Sequence, residues 1–282
     1  MSFVPSQSTT LFDRGAWRQH RNRAARQGCT DFLHAEIAER LIDRLEDVQR
    51  PFEAVLDLGA HCGAFSRALA ARLGIRNIVA VEPAPLFLKQ LGGMRAAADP
   101  DLLPFRDQSF DLVVSGLALH WAGDLPGALI QLRRALKPDG LMLAAMFGGA
   151  SLVELRTVLI EAELAEENGA SPRVSPTVEL LDAVALLQRA GFALPVADAD
   201  TITVHYSDII ALMRDLRSMG ETNVLVARRR GMLRRATLAR AAAIYAERFG
   251  SEDGRISATF EVLYLTGWAP QTRVAGQRLT RG

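Results

Sequence analysis

At 282 residues, with 49% hydrophobic and 23% charged side chains, the chain can bury a full core as one large domain or as a domain with an added lobe. A formal net charge of +1 gives no electrostatic ground for an obligate nucleic-acid partner, and no uninterrupted apolar stretch approaches the ~18 residues that cross a bilayer. Cys29 and Cys62 are too few for a disulfide framework or a zinc cluster, and the first residues lack a basic region followed by an apolar core, so the expected location is the bacterial cytoplasm.

The first element is a basic amphipathic segment, Phe12-Asp13-Arg14 followed by Arg18, Arg21, Arg23 and Arg26, expected to fold over a ligand mouth, although a solvated helix face fits the arginines equally well. Asp31 reads as the N-cap of a helix whose Leu33, Ile37, Leu41, Leu45 and Val48 recur at three- and four-residue steps. Next come Val55-Leu56-Asp57-Leu58-Gly59-Ala60-His61-Cys62-Gly63 and Ile78-Val79-Ala80-Val81-Glu82. Each is a short apolar run that ends at an acid, which describes neighbouring parallel strands aimed at one ligand. Helices are predicted at about 64 to 73, 84 to 92 and 124 to 136. A third strand is placed before Ala98-Asp99, a fourth at Phe110 to Ser115, a turn at Leu136-Lys137-Pro138-Asp139-Gly140 and a fifth strand from Leu141 to Phe147.

Past Phe147 the rhythm changes. A helical stretch follows Gly148-Gly149, Pro172 and Pro176 break it, and another helix ends at Ala190-Gly191. Ala199 to Tyr206 alternates as a strand, 207 to 250 is helical, and Thr259 to Trp268 returns as the last strand. The predicted fold class is α/β: a doubly wound, Rossmann-like sheet with a reversed terminal strand pair and a helical lid. Its segments are an N-terminal helical cap over 1–50, a cofactor-binding core over 51–150, and a lid with the closing strands over 151–282.

The glycine turn carries the chemistry. Gly59 and Gly63 let backbone approach a ligand where a Cβ would collide, and Glu82 stands where an acid accepts from both hydroxyls of a ribose. A dinucleotide fingerprint started at Gly59 needs glycine where His61 and Ala64 stand. The acid-x-G-x-G-x-G pattern of methyltransferases is instead met at Asp57, Gly59 and Gly63 and broken only at His61. S-adenosyl-L-methionine is therefore the predicted cofactor, held by Asp57, Gly59, His61, Gly63, Glu82, Ser115 and Asp99, the last accepting from the adenine amino group.

His120 and Trp121 follow the fourth strand, where the group to be modified sits, and are the candidate catalytic residues; a packed, hydrogen-bonded wall is the alternative. His61 has no partner at facial-triad spacing, so no metal is predicted and its ring reads as solvent-facing, with Cys62 a small apolar residue. Arg228, Arg229, Arg230, Arg234, Arg235 and Arg240 form the densest charge cluster, suited to an acidic partner, a phosphopantetheine carrier or anionic lipid, or simply a solvated lid helix. Glu154, Glu161, Glu163 and Asp215 are candidate carboxylates for a substrate guanidinium.

Over nearly its whole length the chain resembles the methyltransferase-like assembly factors of respiratory complex I, whose mitochondrial members are protein arginine hydroxylases. The resemblance is carried by Phe12-Asp13-Arg14 with Ala24-Ala25-Arg26-Gln27, Leu56-Asp57-Leu58-Gly59, Leu103-Pro104-Phe105, Phe110 to Ser115, and Leu119-His120-Trp121. It continues through Leu136-Lys137-Pro138-Asp139-Gly140, Ala145-Met146-Phe147-Gly148-Gly149, Glu154-Leu155-Arg156, Met219-Gly220-Glu221 with Asn223, and Gly267-Trp268. It implies a class I S-adenosylmethionine-binding fold, a protein substrate in complex I and peripheral contact with the membrane where that complex is built. From the residues alone methyl transfer is favoured, because the chain shows no ligand set for oxygen chemistry, so the expected function is an enzyme of the methyltransferase class; arginine hydroxylation on the same fold and a non-catalytic assembly chaperone are the alternatives. At His61 the chain departs from the resemblance, because the middle glycine of the loop normally lies against the methionine part of the cofactor.

Overall fold

The computed structural model describes residues 10–28, 30–167 and 169–271; Cys29, the first nine residues of the 1–50 segment and residues 272–282 lie outside the described residues. Apolar runs form the central strands: β1 (Val55–Leu58), β2 (Ile78–Val81), the short β3 (Met94–Ala96), β4 (Phe110–Gly116) and β5 (Leu136–Phe147). They run parallel, and β1 is buried at all four positions, as a strand covered on both faces must be. β6 (Ala193–Tyr206) and β7 (Ile256–Trp268) close the sheet in the order β3-β2-β1-β4-β5-β7-β6, with β7 antiparallel to both neighbours. That is the doubly wound sheet with the reversed pair predicted from the sequence.

Several boundaries differ from the prediction: β6 and β7 start at Ala193 and Ile256 rather than at 199 and 259, and the stretch predicted helical over 207–250 forms helices only at Ile209–Met219 and Arg235–Phe249, with residues 220–234 between them. β3 ends at Ala96, so Asp99 lies in the loop beyond it, and β5 starts at Leu136 because the predicted turn is absorbed as a bulge. Phe110 pairs with Leu136, yet Leu112 already pairs with Leu141, so residues 137 to 140 stand out of the ladder. Asp139 takes a φ of +61° there.

Alternation along the strands splits the core into two layers. Leu112, Val114, Leu141 and Leu143 pack with α2 (Phe32–Glu46), α3 (Ala64–Arg72), α6 (Val153–Glu167), α8 (Ile209–Met219) and α9 (Arg235–Phe249). Leu56, Leu58, Val113 and Met142 pack on the other side with α5 (Leu125–Ala135) and α7 (Leu180–Arg189). α4 (Pro85–Gln90) follows β2. Among the described residues no helix is long and apolar enough to cross a membrane.

α1 (Arg14–Arg26) lies across the carboxyl ends of the strands, capped by Asp13, whose Oδ1 accepts from Ala16 N at 3.0 Å. Its Trp17 packs with Phe12, Trp121, Val224 and Leu225, and its Ala24 and Ala25 pack against Phe87. Burying Phe12 and Trp17 contributes on the order of 2–3 kcal/mol each, and Asp13 N donates to Val224 O at 2.8 Å. The cap is thereby tied to the segment after α8. Asp31 holds the N-cap position of α2 without a capping bond, because its Oδ2 instead pairs with Arg67 at 2.9 Å.

Candidate functional site

Two acids converge where β1 and β2 end. Asp57 and Glu82 are 1% and 0% exposed. Between them the turn bends through Gly59 and Gly63, each at φ +77°, with Gly59 N and Ala60 N donating to Val81 O at 2.8 and 2.9 Å. A Cβ on Gly59 would stand 2.2 Å from the Cβ of Ala118, so glycine is required here for contact with the β4 end as well as for its φ. Ser115 is fully buried and donates to Leu58 O at 3.1 Å, bracing β1.

His61 contradicts its solvent-facing reading. It is 1% exposed at φ +48°, a left-handed conformation that histidine tolerates better than most side chains. Its Nε2 lies 3.0 Å from Met219 O, and its ring stacks on His34 at 4.1 Å and an interplanar angle of 3°. The turn thus turns its imidazole inward, against α2 and the end of α8. Cys62, read as a small apolar residue, is buried in an apolar cluster with Ala24, Ala25, Ala84 and Phe87. Among the described residues no group of three or more metal-ligating side chains is placed to hold an ion.

Glu82 and Asp99, two of the three acids assigned to the cofactor, are already engaged by α1. Arg21, 2% exposed, donates from Nε to Glu82 Oε1 at 2.9 Å and from Nη2 to Oε2 at 2.7 Å. Glu82 also accepts from His61 N at 3.2 Å and Ala84 N at 3.0 Å, so four donors occupy its two oxygens. The Arg21 guanidinium lies 5.6 Å from the Trp17 ring centroid and 5.5 Å from that of Phe87. Burial opposes its charge, but Glu82 more than compensates and raises its pKa. Asp99 meets Arg14 Nε at 3.4 Å, and Arg14 also binds Asp101 and donates to Trp121 O at 2.7 Å. The remaining hollow, lined by His34, Ala38, Asp57, Gly59 and Gly116, measures about 10 Å³, room for about one water. Asp57 Oδ1 and both nitrogens of His34 have no hydrogen-bond partner among the described residues. The crevice keeps the acids of a nucleoside site, with Glu82 and Asp99 held by arginines of α1.

Burial gives this crevice a pH signature. Desolvation, partly offset by hydrogen bonds from Ser66, pushes Asp57 up from 3.8 to about 6. Between those values the folded state holds a proton the unfolded chain has lost, so this group's contribution to stability falls as pH rises through the window, by about 2 to 3 kcal/mol. His34 works the other way: burial lowers it from 6.5 to about 4, the unfolded chain protonates first, and stability is lost as pH falls through that range. The two nearly cancel between pH 4 and 6. Asp57→Asn is therefore expected to make the urea midpoint fall more steeply than the parent's between pH 6 and 4, and His34→Phe to tilt it the other way, upward relative to the parent as pH falls; parallel profiles for all three chains would refute this balance.

Beside the crevice lies a cavity of about 250 Å³, mostly apolar, walled by Phe147, Leu152, Leu155 and Met213 and by the polar His120 and Glu221. The fourth strand ends in a 3-10 turn, Leu119–Trp121, that delivers His120 and Trp121 to this wall. Glu221, which follows α8, binds both: its Oε2 lies 3.1 Å from His120 Nε2, and its Oε1 accepts from Trp121 Nε1 at 3.2 Å. Because a carboxylate only accepts, His120 presents a protonated Nε2 to Glu221, and its Nδ1 is buried with no partner among the described residues. Burial raises the Glu221 carboxyl, but His120 and Arg21 outweigh it and hold the group below the usual range. Arg21 Nη1 stands 3.9 Å from Glu221 Oε1, so one guanidinium spans crevice and cavity.

The carboxylates named from sequence for a substrate guanidinium are elsewhere. Glu154 binds Thr259, Glu161 binds Arg248, Glu163 binds Ser171 and Arg173, and Asp215 accepts from Tyr206 at 2.7 Å. Glu221 was missed as a site residue; its only sequence signal is the Met219-Gly220-Glu221 motif. Gly220, at φ +84°, ends α8, and a Cβ there would stand 3.2 Å from Arg21 Cγ, so the motif seats both the carboxylate and α1. The arginine cluster is largely neutralised within the fold: Arg228 pairs with Asp13, Arg229 and Arg234 with Glu167, and Arg240 with Glu166.

A family model described as a methyltransferase domain matches residues 56–144. The arginine-hydroxylase NDUFAF5 of Danio rerio mitochondria is 39% identical over 95% of this chain and 86% of its own length. The malonyl-[acyl-carrier protein] O-methyltransferase of Halorhodospira halophila is 38% identical over 84% of this chain and 81% of its own. Among solved structures, a candidate methyltransferase of Bacillus halodurans superposes with a TM-score of 0.57 at 16% identity, over 83% of this chain and 99% of that one; this last likeness is of fold alone.

Proposed function

Since the chain belongs to the methyltransferase-fold family that includes the NDUFAF5 arginine-hydroxylases, we propose that it is an enzyme of the methyltransferase class that modifies an arginine side chain of a protein substrate during assembly of respiratory complex I. The observation that carries this reading is Glu221. It is an ionised carboxylate in the wall of a mostly apolar cavity, its oxygens oriented by His120 and Trp121. An apolar channel that ends at a fixed carboxylate suits the long aliphatic stem and planar cation of arginine. The chain's own Arg21 guanidinium, 3.9 Å from Glu221, supports the match.

In this reading Glu221 orients the guanidinium, Trp121 fixes the carboxylate, and His120 offers the unpartnered Nδ1 as a proton acceptor beside it. Asp57, Gly59, Gly63, Glu82 and Asp99 form the nucleoside crevice once α1 moves, and the cap, core and lid correspond to 1–50, 51–150 and 151–282. Two chemistries fit the class: transfer of a methyl group, in which S-adenosylmethionine leaves as S-adenosylhomocysteine and the guanidinium loses a proton, and insertion of one oxygen atom, which requires dioxygen and a two-electron reductant and releases the second oxygen as water. The arginine-hydroxylase relative, matched over 95% of the chain, favours the second. Co-expression with the subunits of bacterial complex I, followed by peptide mass measurement, is expected to show one arginine heavier by an oxygen atom. A methylene increment would assign methyl transfer, and unmodified arginines throughout would leave the assembly-chaperone reading in its place.

A further inference from the structure

We propose that α1 is an inhibitory cover on the nucleoside crevice, and that a nucleoside cofactor binds only by displacing Arg21 from Glu82 and Arg14 from Asp99. This rests on reading the crevice as a cofactor site. Arg14 and Arg21 stand seven positions apart, two helical turns, and so project from one face of α1. That face delivers one guanidinium to each acid the fold would use, Asp99 for the adenine amino group and Glu82 for the ribose. Glu82 already accepts from Arg21 Nε, Arg21 Nη2, His61 N and Ala84 N. A carboxylate has about four acceptor positions, so no ribose hydroxyl can bond until the arginine leaves.

Arg21 has a second partner within reach. Its Nη1 lies 3.9 Å from Glu221 Oε1, so a ribose that takes Glu82 can pass the guanidinium to Glu221 without leaving a buried cation unpaired. Cofactor arrival and the state of the cavity carboxylate are then linked through one side chain. Phe12 and Trp17 anchor the start of the cap in the cluster with Trp121 and Val224, so displacing Arg21 falls on the other half of α1 and must also loosen the packing of Ala24 and Ala25 on Phe87.

Two measurements on the full chain test the cover, both with S-adenosylhomocysteine. Calorimetry is expected to show Arg21→Gln binding it roughly tenfold more tightly than the parent, because the competing closed state is depopulated. Hydrogen exchange of the parent should quicken over residues 18–26 on adding the ligand, with 33–45 unchanged. Equal or weaker binding by the variant, slower or unaltered exchange over 18–26, or no binding by either folded chain would each overturn the proposal. The exchange measurement needs no substitution, so an unstable variant does not shield the idea. Arginine modification of a complex I subunit is read separately, so failure of the cover and failure of the enzymatic reading are distinguishable.

Discussion

Glu82→Ala should lower the unfolding free energy by about 3–5 kcal/mol, the cost of leaving one partner of a buried ion pair alone. Arg21 and Glu82 are 2% and 0% exposed, so water cannot replace the lost carboxylate. Glu221, 3.9 Å from Arg21, offsets part of the loss, but the amides of His61 and Ala84 also lose their acceptor and add to it. The sum should displace the thermal midpoint by about 10 °C, at roughly 2–4 °C per kcal/mol for a chain of this size. Arg21→Met combined with Glu82→Leu should by contrast lie within about 1–2 kcal/mol of the parent, since replacing both partners removes the desolvation cost as well. Urea titrations of the two single variants and the double variant form the cycle. Additive losses would mean that the pair is not coupled and that α1 is held by its apolar anchors alone.

The sheet was readable from the sequence because its strands depend on local pattern. Val55–Leu58, Ile78–Val81 and Phe110–Gly116 are apolar runs bounded by glycine and acid, and burial on both faces demands that composition. The reversed β6–β7 pair was legible in alternation, with β6 starting six residues earlier than the pattern suggested, at Ala193. What was not legible is long-range. That Arg21, one arginine among several in a basic segment, would be fully buried depends on Glu82, 61 positions away. Arg18, Arg23 and Arg26 stay exposed, so the segment is at once a solvated face and a ligand-site cover, and no helical periodicity separates the two roles. His61 was read as exposed because polar loop residues usually are; it is buried because His34 on α2 provides a ring to stack on. Glu221 escaped for the same reason, since the partners that give it meaning, His120 and Trp121, come from the far end of β4.

Glu221→Gln should reduce arginine modification by roughly 100-fold in kcat/KM, the equivalent of one charge-assisted hydrogen bond of about 2–3 kcal/mol. The substitution preserves shape. The amide oxygen can still accept from Trp121 Nε1, and the amide nitrogen can donate to His120 Nε2 once that ring carries its proton on Nδ1, so the cavity wall keeps its bonds. Only the negative charge is removed, and because His120 and Arg21 hold the Glu221 carboxyl below the usual range, that charge is present throughout the neutral pH range. A merely structural Glu221 would show its loss in stability, with modification per folded molecule unchanged. The discriminating readout is selectivity: the parent should bind a substrate peptide carrying arginine far more tightly than one carrying neutral citrulline at the same position, and the variant should bind both alike. If the variant keeps the preference, the guanidinium is recognised elsewhere, and the only other cavity-lining charges described are Arg173 and Arg217, whose sign repels it. Retained selectivity would thus refute the cavity as the arginine site and redirect the search to the Glu82 crevice, where this fold already holds a guanidinium of its own.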